Sequence, residues 1–219
     1  MRSLGRCTDC GGWSTLVEEI TQEDDGSKKG FAARVSQLNT GISRPESENK
    51  AQPLSEIDTN ESGRISTGLA GLDEVLGGGL VPGAVILIAG DPGIGKSTLL
   101  MQVAKNLAES CRVLYITGEE SAAQVRLRAE RLNVKSDNVL VASEQNVVNA
   151  ADMLFTTDVQ VAVVDSIQAV YHPEISSAAG SVSQVREGTQ LLIHAAKAKN
   201  ICTILVGHVT KDGTIAGPR

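Results

Sequence analysis

From about residue 63 onward the apolar positions fall into short blocks. Ala84–Ala89 (AVILIA) is wholly apolar and bounded by glycines, the pattern of a strand buried on both faces. Val113–Thr117, Val139–Ala142, Val161–Val164 and Cys202–Val206 repeat it. Between them lie stretches with helical spacing. Lys96–Glu109 carries Leu99, Leu100, Val103 and Leu107 on one face, Ser121–Leu132 is a second helix, and Val182–Lys199 is helical over most of its length. Strands alternating with helices predict βαβ units around a mainly parallel sheet, an α/β fold.

Ahead of this region the periodicity stops. Residues 21–62 are rich in Glu, Asp, Ser, Asn, Gln and Lys. Such a stretch buries too little apolar surface to offset the entropy of ordering it, and it reads as a linker. Residues 1–20 hold a Cys7-x-x-Cys10 pair and the only tryptophan, Trp13. The expected organisation is therefore a small cysteine-bearing unit at 1–20, a linker at 21–62 and an α/β domain at 63–219.

The first two predicted elements flank a motif. Gly90, Asp91, Pro92, Gly93, Ile94, Gly95, Lys96 and Ser97, followed by Thr98, fit the phosphate-loop pattern G-x-x-x-x-G-K-S/T at every fixed position. A buried strand enters it and a helix leaves it. Gly93 and Gly95 let the backbone curl its N–H groups around phosphate oxygens, and the helix directs its positive end at the same anion. Lys96 is expected to neutralise the β and γ phosphates as a point charge on an exposed loop. The Ser97 hydroxyl is expected to ligate Mg²⁺, with ATP as the nucleotide.

Two further features stand at strand ends. Val161–Val164 runs into Asp165 and Ser166, and an acid there can hold a water on the Mg²⁺ that Ser97 ligates. Glu119 and Glu120 follow the strand Val113–Thr117 through Gly118. One of them can polarise an attacking water as a general base, or both can simply occupy the first turn of a helix, where acids suit the dipole. Spacing leaves that choice open. Arg126, Arg128 and Arg131, with Glu130, read either as a ridge for phosphates or as a solvated helix face. Tyr115 and Phe155 read as core or near-core aromatics.

Composition narrows the function. A net charge of -6 argues against a globally basic coat for polyanions, although a local basic loop is still compatible with nucleic acid. Aromatics are only 2%, so base stacking is not a dominant binding mode, and contacts to DNA would be electrostatic and salt-sensitive. No apolar run approaches the roughly 18 residues of a spanning helix, and the amino end has no apolar signal segment. The four cysteines form no disulfide framework, which with the absence of a signal points to the cytoplasm.

The segment from Arg64 to Gly83, with GDPGIGKST, YITGEES, VVDSIQAVYHPE, SVSQVRE and GHVTKDGTIAGPR, resembles the RecA-like ATPases, in particular a bacterial DNA-repair branch of that family. The likeness runs from Gly5 to Arg219. It implies a RecA-type core that hydrolyses ATP, binds single-stranded and branched DNA, forms hexameric rings and assists the RecA recombinase by branch migration. It favours Glu119 as the catalytic carboxylate, with Glu120 as neighbour and possible substitute. It also places His208 and Lys211 at a polar sensor and DNA-facing loop, and Arg186 in another such loop at Ser181–Glu187. Gly207 is expected to permit an unusual turn before His208, whose alternative reading is a simple strand cap.

Two departures from the family pattern stand out. The family finger binds zinc through two Cys-x-x-Cys knuckles, because structural Zn²⁺ takes four ligands. Only Cys7 and Cys10 are present; Cys111 at a helix–strand junction and Cys202 on a core strand read as small buried hydrophobes, and His172 and His194 have no metal spacing. Zn²⁺ is thus expected only in an intact finger. The chain also stops before the family's later motif and carboxyl-terminal domain, so it reads as part of a longer protein. Two rival readings stand beside a DNA-stimulated motor: a RecA-like ATPase of signalling or clock type, and a nucleotide-binding piece without turnover.

Overall fold

The structure, a computed structural model, describes residues 53–56 and 63–208. The chain divides into two units, Met1–Glu56 and Ile57–Arg219. In the first, the described residues form one turn of 3-10 helix, Leu54–Glu56.

Among the described residues the second unit is an α/β domain built on five strands. They are β1 (Val85–Gly90), β2 (Val113–Thr117), β3 (Val139–Ser143), β4 (Val161–Asp165) and β5 (Cys202–His208). Their order in the sheet is β1-β5-β4-β2-β3, and every pairing is parallel. The helices are α1 (Ala70–Val75), α2 (Lys96–Leu107), α3 (Ala122–Arg131), α4 (Val147–Thr156) and α5 (Val182–Ala198). The expected parallel α/β fold is what the chain adopts.

The central strands read as unbroken apolar runs because both of their faces are covered. Every residue of β2 and β4 is buried, as is all of β5 except His208. On one face Val113, Tyr115, Val161, Val163, Cys202, Ile204 and Val206 pack with Leu100, Met101, Val103, Ala104 and Leu107 of α2 and Val125 of α3. Cys202 is thus a core residue, as the sequence led us to expect. The opposite face of the sheet is covered by α4 and α5, which bury Val147, Ala150, Ala151, Leu154, Leu191, Leu192, Ala195 and Ala196. Right-handed crossovers account for this division. The connections after β1 and β2 step one way across the sheet, and those after β3 and β4 step back.

Two helices lie where the sequence pattern predicted none. Helix α1 is six residues long, includes Gly71 and is followed by Gly77, Gly78 and Gly79, all at positive φ. Helix α4 starts at Asn146, whose side-chain oxygen accepts from the Val148 N–H at 2.9 Å. The segment Ser181–Glu187, expected as a loop, is the N-cap and opening turns of α5. Ser181 Oγ accepts the Gln184 N–H there, so the chain is already helical at Arg186.

Candidate active site

A parallel sheet sends all its strand ends to one edge, and chemistry-bearing residues collect there. The register shows which ones meet. Gly90, the last residue of β1, pairs with His208, the last of β5, and Thr117 of β2 pairs with Asp165 of β4. The phosphate loop, the Glu119–Glu120 pair, Asp165 and His208 therefore share the carboxyl edge.

In the loop, Gly93 and Gly95 take φ of 79° and 101°, and a Cβ added to either would meet nothing within 4 Å. Helices α3, α4 and α5 each begin with a side-chain cap from Ser121, Asn146 or Ser181. Helix α2 begins at Gly95 with none, which leaves its first N–H groups available to an anion. Lys96 departs from expectation in one respect. It is only 7% exposed, and its Nζ donates to the carbonyls of Gly90 and Asp91, both at 2.8 Å. The ammonium is held inside the loop rather than extended into solvent, because each buried donor needs an acceptor. Asp91, Pro92, Gly93, Ile94 and Gly95 are exposed around it, as is Thr98, and Ser97 is half-buried.

The two glutamates separate. Glu119 Oε1 accepts from Ser166 Oγ at 2.5 Å and lies 3.1 Å from His208 Nε2. Burial alone would push this carboxyl up. The hydrogen bonds from Ser166 and His208, with the charges of His208 and Lys96, outweigh it and hold Glu119 below its ordinary value. Both donors fall on one oxygen, and among the described residues Oε2 has no donor. Glu120 turns instead to α3. Its Oε1 accepts from Arg128 Nη1 at 3.2 Å, and Oε2 lies 2.9 Å from Arg128 Nη2 in an ion pair not aligned as a hydrogen bond. Arg128 is accordingly no solvated-face residue, whereas Arg126 is, pairing with Glu130 along the helix at 3.1 Å.

Asp165 is buried, and its Oδ2 accepts from the Tyr115 hydroxyl at 2.5 Å. Burial first, and the Asp165 charge second, push the Tyr115 phenol far above its ordinary value, so Tyr115 remains a donor. Among the described residues Oδ1 has no donor. A half-buried Ser97 hydroxyl and a free carboxylate oxygen are a hard-oxygen set of the kind Mg²⁺ takes beside phosphates, so the residues present fit that ion.

His208 ends β5, with its backbone gripped by one side chain. Its N–H donates to Gln168 Oε1 at 3.2 Å, and its carbonyl accepts from Gln168 Nε2 at 3.3 Å. The imidazole Nδ1 is buried and has no hydrogen-bond partner among the described residues. Gly207 makes no unusual turn. It sits within β5, where a Cβ would come 3.2 Å from the tip of the exposed Leu87 side chain on β1. Arg186 is exposed on α5, and no described contact ties it to this edge. Lys211, Cys7 and Cys10 lie outside the described residues. Among the described residues no cluster of His, Cys, Asp and Glu is placed to hold a metal ion by itself, and no helix is long and apolar enough to cross a membrane. Spacing did not identify Ser166, Gln168 or the partnership of Tyr115 with Arg128. The only signal for Ser166 was its place immediately after the acid.

A parallel sheet in this order, with an uncapped helix at a glycine loop and carboxylates on adjacent strand ends, defines a RecA-like P-loop ATPase core. Residues 65–155 match the family described as "ATPase: KaiC". The whole chain is similar to curated proteins named DNA repair protein RadA. Identity is 46% over 217 residues to that of Listeria monocytogenes and 46% over 217 residues to that of Bacillus subtilis, each covering 99% of this chain. It is 44% over 222 residues to that of Haemophilus influenzae, covering all of this chain. Its likeness to the RadA proteins extends over nearly the whole of this chain, and its fold is that of the RecA-like ATPases. It spans 45% of the length of the first two relatives and 46% of the third.

Proposed function

We propose that this chain is the ATP-hydrolysing core of a DNA-stimulated motor in recombinational repair. The observation that carries the reading is the meeting of the phosphate loop, Asp165 and Glu119 at one sheet edge, on a chain whose relatives are named for DNA repair. In this reading the loop N–H groups and the α2 terminus cradle the phosphates, and the Lys96 ammonium exchanges its two loop carbonyls for phosphate oxygens. Ser97 and Asp165 would hold Mg²⁺, which supplies charge neutralisation at the phosphates when bound. Glu119, fixed through Oε1 by Ser166 and His208, offers Oε2 to a water and takes its proton as that water attacks. Glu120 is committed to Arg128 and serves as a scaffold.

The finer reading is that the intact protein acts on single-stranded and branched DNA, as a hexameric ring beside the RecA recombinase, during branch migration. His208 would be the sensor, touching the base at its side chain and leading directly into residues 209–219, which include Lys211. Arg186 is retained only as an exposed cation of α5, and Cys7 with Cys10 as half of a Zn²⁺ finger. The match to the KaiC-type ATPase supports a second reading, a signalling or clock-type ring, because it covers both the phosphate loop and the glutamate pair. The deciding experiment is steady-state ATP hydrolysis with and without single-stranded DNA, for wild type and Lys96→Ala. Turnover lost in the variant and raised by DNA in the wild type supports the motor. Turnover indifferent to DNA favours the second reading, and unchanged turnover in Lys96→Ala removes the phosphate-loop assignment.

A further inference from the structure

A line of polar contacts leads from the phosphate site back into the core, and hydrolysis alone gives no reason for it. Tyr115 is fully buried, one strand away from Asp165. Tyr115 pairs with Val163, and Thr117 with Asp165, so the Tyr115 and Asp165 side chains share a face of the sheet. The hydroxyl reaches along that face to Asp165 Oδ2. A phenol has a single proton to donate. With that proton on Asp165, the oxygen can only accept from other partners, and Arg128 Nη2 donates to it at 3.4 Å.

Arg128 is itself fixed. Its terminal nitrogens meet the two oxygens of Glu120, and its guanidinium carbon lies 5.8 Å from the centre of the Tyr115 ring. One arrangement of protons fits the contacts: Arg128 donates from Nη1 to Glu120 and from Nη2 to Tyr115, and Tyr115 donates to Asp165, while Arg128 Nε and Glu120 Oε2 take no hydrogen bond among the described residues. The line therefore has a direction, and it ends on one oxygen of Asp165. A phenylalanine would fill the ring's place in the core, and a buried hydroxyl is costly without a partner. What the hydroxyl adds is a fixed orientation of Asp165.

We propose that Tyr115 is a positioning residue, which pins Oδ2 of Asp165 so that Oδ1 is presented to Mg²⁺ beside Ser97, and that the Arg128–Glu120 pair sets the Tyr115 hydroxyl. This rests on the assignment of Asp165 to the Mg²⁺ site made above. The test is Tyr115→Phe in the full chain, with binding of a fluorescent ADP analogue measured in EDTA and then across a Mg²⁺ series, and ATP hydrolysis followed over the same series. Affinity in EDTA should match wild type, while the Mg²⁺ concentration for half-maximal binding rises on the order of 10-fold, the usual cost of losing a ligand-orienting partner. Turnover should recover at high Mg²⁺. Arg128→Gln should move the Mg²⁺ curve the same way by less, and it provides the reading if Tyr115→Phe does not fold. Superimposable Mg²⁺ curves for wild type and the folded variant overturn the proposal. A wild type whose ADP affinity ignores Mg²⁺ overturns the Asp165 assignment itself and this inference with it, an outcome visible before any variant is compared.

Discussion

Consecutive glutamates after β2 are turned to opposite sides of the loop. Glu119 goes toward β4 and β5, where Ser166 and His208 share one of its oxygens and leave the other open. Glu120 goes toward α3, where Arg128 engages both oxygens. The residue types are identical and the backbone positions adjacent, so the difference lies in what surrounds them. A carboxylate held on one side can still accept a proton from a reactant, whereas one occupied on both sides mainly holds structure together.

The largest effect should come from exchanging carboxylate for amide on each side. Glu119→Gln is expected to lower kcat by about 10²- to 10⁴-fold, the usual range for a general base, with nucleotide affinity little changed. Glu120→Gln should retain most of the turnover. Steady-state kinetics on the pair check this, and an equal fall in both would dissolve the distinction. Next, Arg128→Ala should destabilise the fold by about 1–3 kcal/mol, the range for a hydrogen-bonded charge left without its partner, reduced where Glu120 is solvent-exposed. Denaturant unfolding measures it, and a shift under about 0.5 kcal/mol would mean that Glu120 is not held as described. Ser166→Ala should have a smaller effect, lowering kcat severalfold and moving the acid limb of the pH–rate profile upward. The reason is that Ser166 is the foremost group lowering the Glu119 value against the opposing pull of burial.

The smallest effect is on stability against pH. Glu119 is depressed in the folded chain relative to its ordinary value of 4.5. Its contribution is then fully present above 4.5 and is lost as pH falls through the lower folded value. Glu119→Gln should therefore lose that contribution at all pH values above about 4.5, converge with wild type as pH falls below the folded value, and so show a flatter acid limb. Thermal melts from pH 3 to 7 test the sign, and a variant that falls below wild type only in acid, with no difference near neutrality, would reverse it.

Much of this was legible in the chain. The run VAVVD announces a buried parallel strand, because neither face needs polar residues, whereas AVILIA, expected to be buried on both faces, is the edge strand β1, whose Leu87 and Ala89 are exposed. The phosphate loop is equally plain, since its glycines and lysine are local requirements. Helix α4 is obscured in the pattern because Val148, Met153 and Phe155 add apolar residues beyond the buried stripe of Val147, Ala150, Ala151 and Leu154. The burial of Lys96 is hidden for another reason: its acceptors are its own loop's carbonyls, and their closeness is a fact of three dimensions. The choice between Glu119 and Glu120, and the partnership of Tyr115 with Asp165 across 50 residues, depend on strand order, which no spacing rule encodes.

Gly118 carries no chemistry, yet a methyl group there would come 2.8 Å from the Ala169 Cβ and 3.2 Å from the Ala169 carbonyl carbon. Its missing side chain is what lets the turn bearing Glu119 lie against the turn bearing Ser166. In a saturation-mutagenesis screen scored by survival, position 118 should look as intolerant as Lys96, although no reacting atom is near its side chain. Ranking residues by such scores would thus promote a spacer to the standing of a reagent. Only a purified Gly118→Ala protein, with nucleotide affinity and turnover measured separately, would tell the two apart.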